Sequence, residues 1–186
     1  MGEKLKSAVR SLKSKHTIFL LLTFFLVIIS FFLLDKAVLG HNKILDGIFS
    51  IVKENYSYAF VAICVFLAFS LFSRKYKSKM AREIASFLLA IAISSIIKFA
   101  IGRIRPGLGL SGYSFPSNHS TAMFSLLPFF KSWHYYVWLL VSLFVAASRV
   151  YWRYHYFSDV FAGAFIGYGV GLLIERMAKK IQKTKD

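Results

Sequence analysis

TIFLLLTFFLVIISFFLL, residues Thr17–Leu34, runs for 18 residues without a charge. As an α-helix it is about 27 Å long at 1.5 Å per residue, enough to cross the hydrocarbon core of a bilayer. The basic stretch Lys4–Lys15 ahead of it could open a signal peptide. No small-x-small cleavage site follows, however, and further apolar runs do, so the segment is expected to be retained. Those runs are Tyr58–Phe72, Ile84–Ile101, Ser120–Phe130, Tyr135–Ala147 and Val160–Ile174. Several are shorter than about 17 residues, so their helices must recruit flanking residues or stop short of full membrane thickness. The expected fold is all-α, a bundle of six membrane-spanning helices.

Composition points the same way. Of the 186 residues, 57% are hydrophobic and 18% aromatic, which excludes a disordered chain. Only 17% are charged, against about 25% in soluble domains, and the mean hydropathy is +0.58. The one cysteine, Cys64, excludes a disulfide scaffold and any Cys-rich metal site. A net charge of +16 could suggest nucleic acid. The cations instead fall mainly in three clusters beside apolar runs, Lys4–Lys15, Arg74–Arg82 and Arg176–Lys185, the pattern of cytoplasmic loops. No nucleic-acid partner is expected.

With the N-terminus inside, sixteen of the 24 Lys and Arg residues face the cytoplasm, so both termini are expected there. This divides the chain into a basic tail (1–16), a six-span domain (17–177) and a second basic tail (178–186). Residues Ile44, Leu45, Ile48, Phe49 and Val52 recur at helical spacing between the first two spans. They describe an amphipathic helix, either lying on the outer leaflet or packed on the bundle. Gly163, Gly167 and Gly171 recur every four residues in the last span, which lets a neighbouring backbone come close within the bundle. Pro128 should kink or end the fourth helix. Pro106 should mark the end of the third.

Polar residues near membrane depth are costly, so those present are informative. Lys98 lies near the outer end of the third span, followed by Arg105-Pro106 and then Pro116-Ser117-Asn118-His119 at the start of the fourth. Ser148-Arg149 closes the fifth, and His155 and Asp159 open the sixth. Asp159 is the only carboxylate between Glu83 and Glu175. Four residues after His155 on one helix, it can accept a hydrogen bond from that ring and fix its tautomer. Lys98, Arg105 and Arg149, with Arg103 and Arg153 nearby, would converge on the same outer mouth. Their surplus of positive charge suits a phosphate, and the helix start at Ser117–His119 adds backbone N–H groups and a favourable dipole. Two histidines beside a phosphate cradle are the equipment for phosphoryl transfer through a histidine nucleophile. Only 28 residues separate His119 from Ser148, whereas two full crossings need about 40. Both ends of that hairpin should therefore lie within the helix ends, a depth that suits a phosphate on a lipid better than a soluble sugar phosphate.

Lys98-x6-Arg105-Pro106, Pro116-Ser117-Asn118-His119 and Ser148-Arg149-x5-His155-x3-Asp159 together resemble the three-part motif of the type 2 phosphatidic acid phosphatase (PAP2) family. One position departs, because Asn118 stands where that family usually has glycine. The resemblance implies that His155 attacks phosphorus and forms a phosphohistidine, oriented by Asp159. It implies that His119 protonates the leaving oxygen and then helps activate water. Lys98, Arg105 and Arg149 would bind the phosphoryl oxygens, helped by Ser117 and the backbone near Asn118, while Arg103 and Arg153 could contact the headgroup or merely flank the membrane. It implies no metal and no other cofactor.

The expected activity is that of a lipid phosphate phosphatase in a bacterial inner membrane, with its site facing the periplasm. Phosphatidylglycerophosphate, phosphatidic acid, undecaprenyl diphosphate and lipid A 1-phosphate are the family's substrates, and nothing in composition or spacing selects among them or fixes the oligomeric state. The outer loop Gly107–Phe115 has three glycines and no charge, which leaves the helix around Ile48 and Phe49 as headgroup selector. Two other readings stay open: a phosphotransferase passing the phosphoryl group to an acceptor lipid, and a non-catalytic lipid-phosphate binder or transporter.

Overall fold

The structure, a computed structural model, describes residues 18–26, 43–54 and 77–183. The expected second span, Tyr58–Phe72, lies outside these residues, as do the tail 1–16 and the second half of the first span. The described elements are α1 (18–26), α2 (Lys43–Glu54), α3 (Lys77–Ile101), α4 (Asn118–Leu126), α5 (Ser132–Tyr151) and α6 (Phe157–Lys183). A 3₁₀ turn, Leu127–Phe129, follows α4. Among the described residues there is no strand, and Ile104 and Tyr113 form an isolated bridge.

Helix α6 is the hub, packed against α4, α3 and α5. Its glycines make the first of these contacts possible. A Cβ on Gly163 would lie 2.6 Å from the Ser117 carbonyl oxygen, and Cβ atoms on Gly167 and Gly171 would overlap the carbonyls of Thr121 and Ser125. The three-glycine seam is thus intramolecular, as its spacing suggested. Hydroxyls join the other helices to it. Ser86 Oγ on α3 donates to the Ser125 carbonyl at 3.0 Å, and Thr121 Oγ1 lies 3.3 Å from Ser94 Oγ. In an apolar bundle such bonds stabilise by about 0.6 kcal/mol each. Tyr168, Phe124, Leu127 and Leu172 fill the space between α4, α5 and α6, and Phe19 of α1 lays its ring on Tyr168, centroids 4.1 Å apart.

The helix ends follow from local chemistry. Helix α3 stops at Ile101, five residues before Pro106, because Gly102 takes φ +64° and returns its N–H to the Lys98 carbonyl. A glycine in the left-handed region just past the last turn is a common stop, and it acts before the proline does. Pro128 ends α4 as expected, turning the chain through the 3₁₀ segment. Helix α6 begins at Phe157, two residues later than the His155–Asp159 spacing suggested. Asp159 in its first turn reaches back to the Tyr156 N–H at 2.8 Å, the acidic half of a capping box.

Helix α2 packs on the end of α5. Tyr151 donates its hydroxyl to Asp46 at 2.7 Å, the Trp152 indole donates to the Phe49 carbonyl at 3.3 Å, and the Phe49 ring rests on Phe144 and Tyr151. Its other face exposes Ile44, Leu45 and Ile48. Helices α3 and α5 also present Leu88, Ile96, Phe99, Leu140 and Leu143 outward. Among the described residues two helices are long and apolar enough to cross a membrane, Lys79–Ile101 and Phe157–Ile181.

Candidate active site

At one end of the bundle a cavity of about 370 Å³ opens between the ends of α3 and α5 and the start of α4. It is lined by Lys98, Arg105, Leu110, Ser111, Asn118, His119, Arg149, Tyr154 and His155. Both motif histidines and three motif cations therefore meet in one space, and among the described residues no carboxylate lines it. His119 comes from the first turn of α4 and Arg149 from the last turn of α5, as the short hairpin between them requires.

His155 is 3% exposed, and its Nδ1 lies 2.7 Å from the main-chain carbonyl oxygen of Ser114. A carbonyl can only accept, so Nδ1 carries the proton and Nε2 the lone pair. The expected bond to Asp159 is not the one made. The carboxylate stands 3.6 Å from Nδ1, because Arg103 holds its Oδ1 at 2.8 Å and the Tyr156 N–H holds its Oδ2. Burial pushes the His155 imidazole below the ordinary histidine value, with Asp159 opposing, so the ring is neutral at pH 7.

The cations differ in how they are held. Lys98 Nζ donates to the carbonyls of Tyr113, Ser114 and Pro116 at 3.3, 3.2 and 2.6 Å, gathering the loop around itself. Arg149 is 3% exposed, its Nε 3.3 Å from Ser148 Oγ. Arg105 donates through Nη1 to the Tyr154 carbonyl at 3.3 Å, while its buried Nε has no hydrogen-bond partner among the described residues. An orphaned buried N–H on a guanidinium at a cavity wall is what an anion would satisfy. Tyr154, which spacing did not single out, has Arg105 5.9 Å and Arg149 5.6 Å from its ring centroid.

The other four expected site residues are placed in different ways. Ser117 is fully buried as the N-cap of α4, its Oγ accepting from the Ser120 N–H at 3.4 Å, and does not line the cavity. Asn118 lines it but spends its amide on α3, with Oδ1 accepting from Ser94 Oγ at 2.7 Å and Nδ2 donating to Ser95 Oγ at 3.3 Å. Arg103 turns away from the cavity onto Asp159, Ser158 and the face of Tyr156. Arg153 is exposed at φ +56°, and its carbonyl accepts the Gly107 N–H.

The profile of the PAP2 superfamily matches residues 80–183, which include every residue of this cavity. The chain belongs to the PAP2 superfamily. Among curated PAP2 relatives, an undecaprenyl-diphosphatase of Sulfolobus acidocaldarius is 27% identical over 151 residues, covering 73% of this chain and 72% of the relative. A palmitoyl-protein thioesterase-dolichyl pyrophosphate phosphatase fusion of Schizosaccharomyces pombe is 31% identical over 112 residues, 48% of this chain and 17% of that one. The fold is shared with the transmembrane PAP2-type phosphatidylglycerolphosphate phosphatase of Bacillus subtilis, at TM-score 0.67 and 23% identity over 90% of this chain and 97% of that one. It is shared also with LpxE of Aquifex aeolicus, at TM-score 0.63 and 22% identity over 74% and 88%. The first of these neighbours is a transmembrane protein, and among the described residues of this PAP2 chain two helices are long and apolar enough to cross a membrane.

Proposed function

We propose that this PAP2 protein is a lipid phosphate phosphatase that hydrolyses a phosphate monoester or diphosphate through a phosphohistidine at His155. The carrying observation is the cavity itself, where a neutral, tautomer-fixed imidazole and a second histidine share about 370 Å³ with three cations and, among the described residues, no carboxylate. His155 Nε2 attacks phosphorus as the bond to the lipid oxygen breaks; His119, pushed down to about 3 by burial and the cations around it, takes up a proton together with the anionic substrate and gives it to that oxygen. A water then attacks the phosphohistidine while His119 takes a proton back, and inorganic phosphate leaves. Arg105 and Arg149 meet the non-bridging oxygens, whose charge is spread in the transition state; a well-aimed donor of this kind contributes about 3 kcal/mol. Lys98 adds charge beside them and shapes the loop. Among the described residues the lining offers two histidines and no acid, a poor donor set for Mg²⁺, and the proposed chemistry is metal-independent.

The relatives support a lipid substrate, since their names specify polyprenyl diphosphates and a glycerophospholipid phosphate. The charge distribution supports an outward-facing site with both termini in the cytoplasm. The test is phosphate release by the purified protein in detergent with excess chelator, over undecaprenyl diphosphate, phosphatidylglycerophosphate, phosphatidic acid and lipid A 1-phosphate, beside His155→Ala. Release that survives chelation and disappears in the variant is expected. Release that needs a metal, or that persists in His155→Ala, overturns the mechanism; transfer to an added acceptor lipid without hydrolysis would make the enzyme a phosphotransferase.

A further inference from the structure

Two acceptors face the Nδ1 side of His155, the Ser114 carbonyl at 2.7 Å and the Asp159 carboxylate at 3.6 Å. Both are fully buried residues, and both are fastened by Arg103. Its main-chain carbonyl accepts the Ser114 N–H at 2.7 Å and lies 3.2 Å from Ser114 Oγ. Its guanidinium donates through Nη1 to Asp159 Oδ1 at 2.8 Å and to Ser158 Oγ at 2.6 Å. The Tyr156 ring lies 3.8 Å from the guanidinium carbon, which fixes the plane of the fork.

We propose that Arg103 is a positioning residue, a bracket that holds Ser114 with its backbone and Asp159 with its side chain so that the His155 ring is aimed from both. The inference rests on His155 being the nucleophile. Without the guanidinium, the Asp159 carboxylate keeps the Tyr156 N–H and its approach to His155, and is free to swing toward Nδ1 and draw the ring from the Ser114 carbonyl. A misplacement of about 1 Å at a nucleophile lowers the rate by about 100-fold without weakening substrate binding. Arg103 therefore acts on kcat through Asp159, whereas a headgroup contact would act on KM.

The test is kinetics on Arg103→Ala, Arg103→Lys, Asp159→Asn and the double variant Arg103→Ala/Asp159→Asn, each checked for wild-type melting in detergent. Expected are a kcat loss of about 100-fold in Arg103→Ala with KM within about twofold, partial recovery in Arg103→Lys, and a double variant no slower than the slower single one. A raised KM at unchanged kcat, or losses that multiply in the double variant, overturn the proposal. If Arg103→Ala does not fold, Arg103→Lys and the double variant, which leaves no unpaired buried carboxylate, carry the same comparison. A second readout needs no turnover, namely the pH dependence of His155 modification by diethyl pyrocarbonate, followed by mass spectrometry. Arg103→Ala should shift that profile, and an unchanged profile counts against the bracket. Wild-type protein inactive on every lipid would instead remove the phosphatase reading, and the modification profile would still decide the role of Arg103.

Discussion

Burial pushes the His155 imidazole down, the Asp159 carboxylate pulls it back up, and Lys98 and Arg105 add to the downward push. The net direction is down, so the proposed nucleophile stays neutral at pH values where an ordinary histidine, near 6.5, is half protonated. Protonation removes the lone pair on Nε2, hence activity is lost as pH falls. The acid limb of kcat/KM, corrected for ionisation of the substrate itself, should lie below pH 6.5; a limb above that value contradicts the neutral ring. His155→Ala should bring phosphate release to background while the protein melts as the wild type does. The side chains that do this work were legible in the sequence because each is chemically distinctive and their spacings are fixed: Lys98, Arg105, His119, Arg149 and His155 all line the cavity. Ser114 was not legible, since it contributes a backbone carbonyl that any residue possesses. The destination of Arg103 was hidden for another reason, because two arginines two residues apart on a loop can point anywhere until the loop is folded.

Glycine spacing gave away how α6 meets α4, and it sets up a paired test. A methyl on Gly167 has no room against the Thr121 carbonyl, whereas one on Gly169, two residues away, meets nothing within 4 Å. Gly167→Ala should cost about 1–3 kcal/mol through overpacking, and Gly169→Ala should leave stability equal to or slightly above wild type, because alanine is the better helix former. Thermal melting in detergent separates them, and equal melting points would mean that the seam is not close-packed. Asn118 is the second element-scale case. Where the family usually has glycine, this chain has an amide that ties α4 to Ser94 and Ser95 of α3. Asn118→Gly should lower stability by about 1–3 kcal/mol by removing both bonds, yet leave some turnover because the histidines and arginines stay in place. Loss of all turnover at unchanged melting would instead give Asn118 a role in binding phosphate. The early stop of α3 shows the limit of reading from proline alone: Gly102 ends the helix first, and the extra loop length is what lets Lys98 gather three carbonyls.

The whole molecule has two unlike ends. At the end away from the cavity, Arg82 pairs with Glu175 at 3.2 Å and ties the start of α3 to the later part of α6, while Lys179 pairs with Glu175 at 2.9 Å and Lys79 with Glu83 at 3.5 Å within their own helices. The proposed orientation puts these pairs at the cytoplasmic face. In a variant with Cys64 replaced by serine, a cysteine at Lys131 should react with an impermeant thiol reagent only from the inside, and one at Ser111 only from the outside. The reverse pattern would overturn the orientation. At the cavity end the balance is different, because three cations face the space and the nearby carboxylate is turned aside and locked by Arg103. An anion trap of that kind does not distinguish what arrives from what is left behind. Inorganic phosphate carries the same oxygens to the same guanidinium groups as the substrate's terminal phosphate, and it has no lipid tail to draw it back out. Product escape, not bond cleavage, should then limit the steady state. An initial burst of lipid alcohol and competitive inhibition by free phosphate are the kinetic signs of that bottleneck.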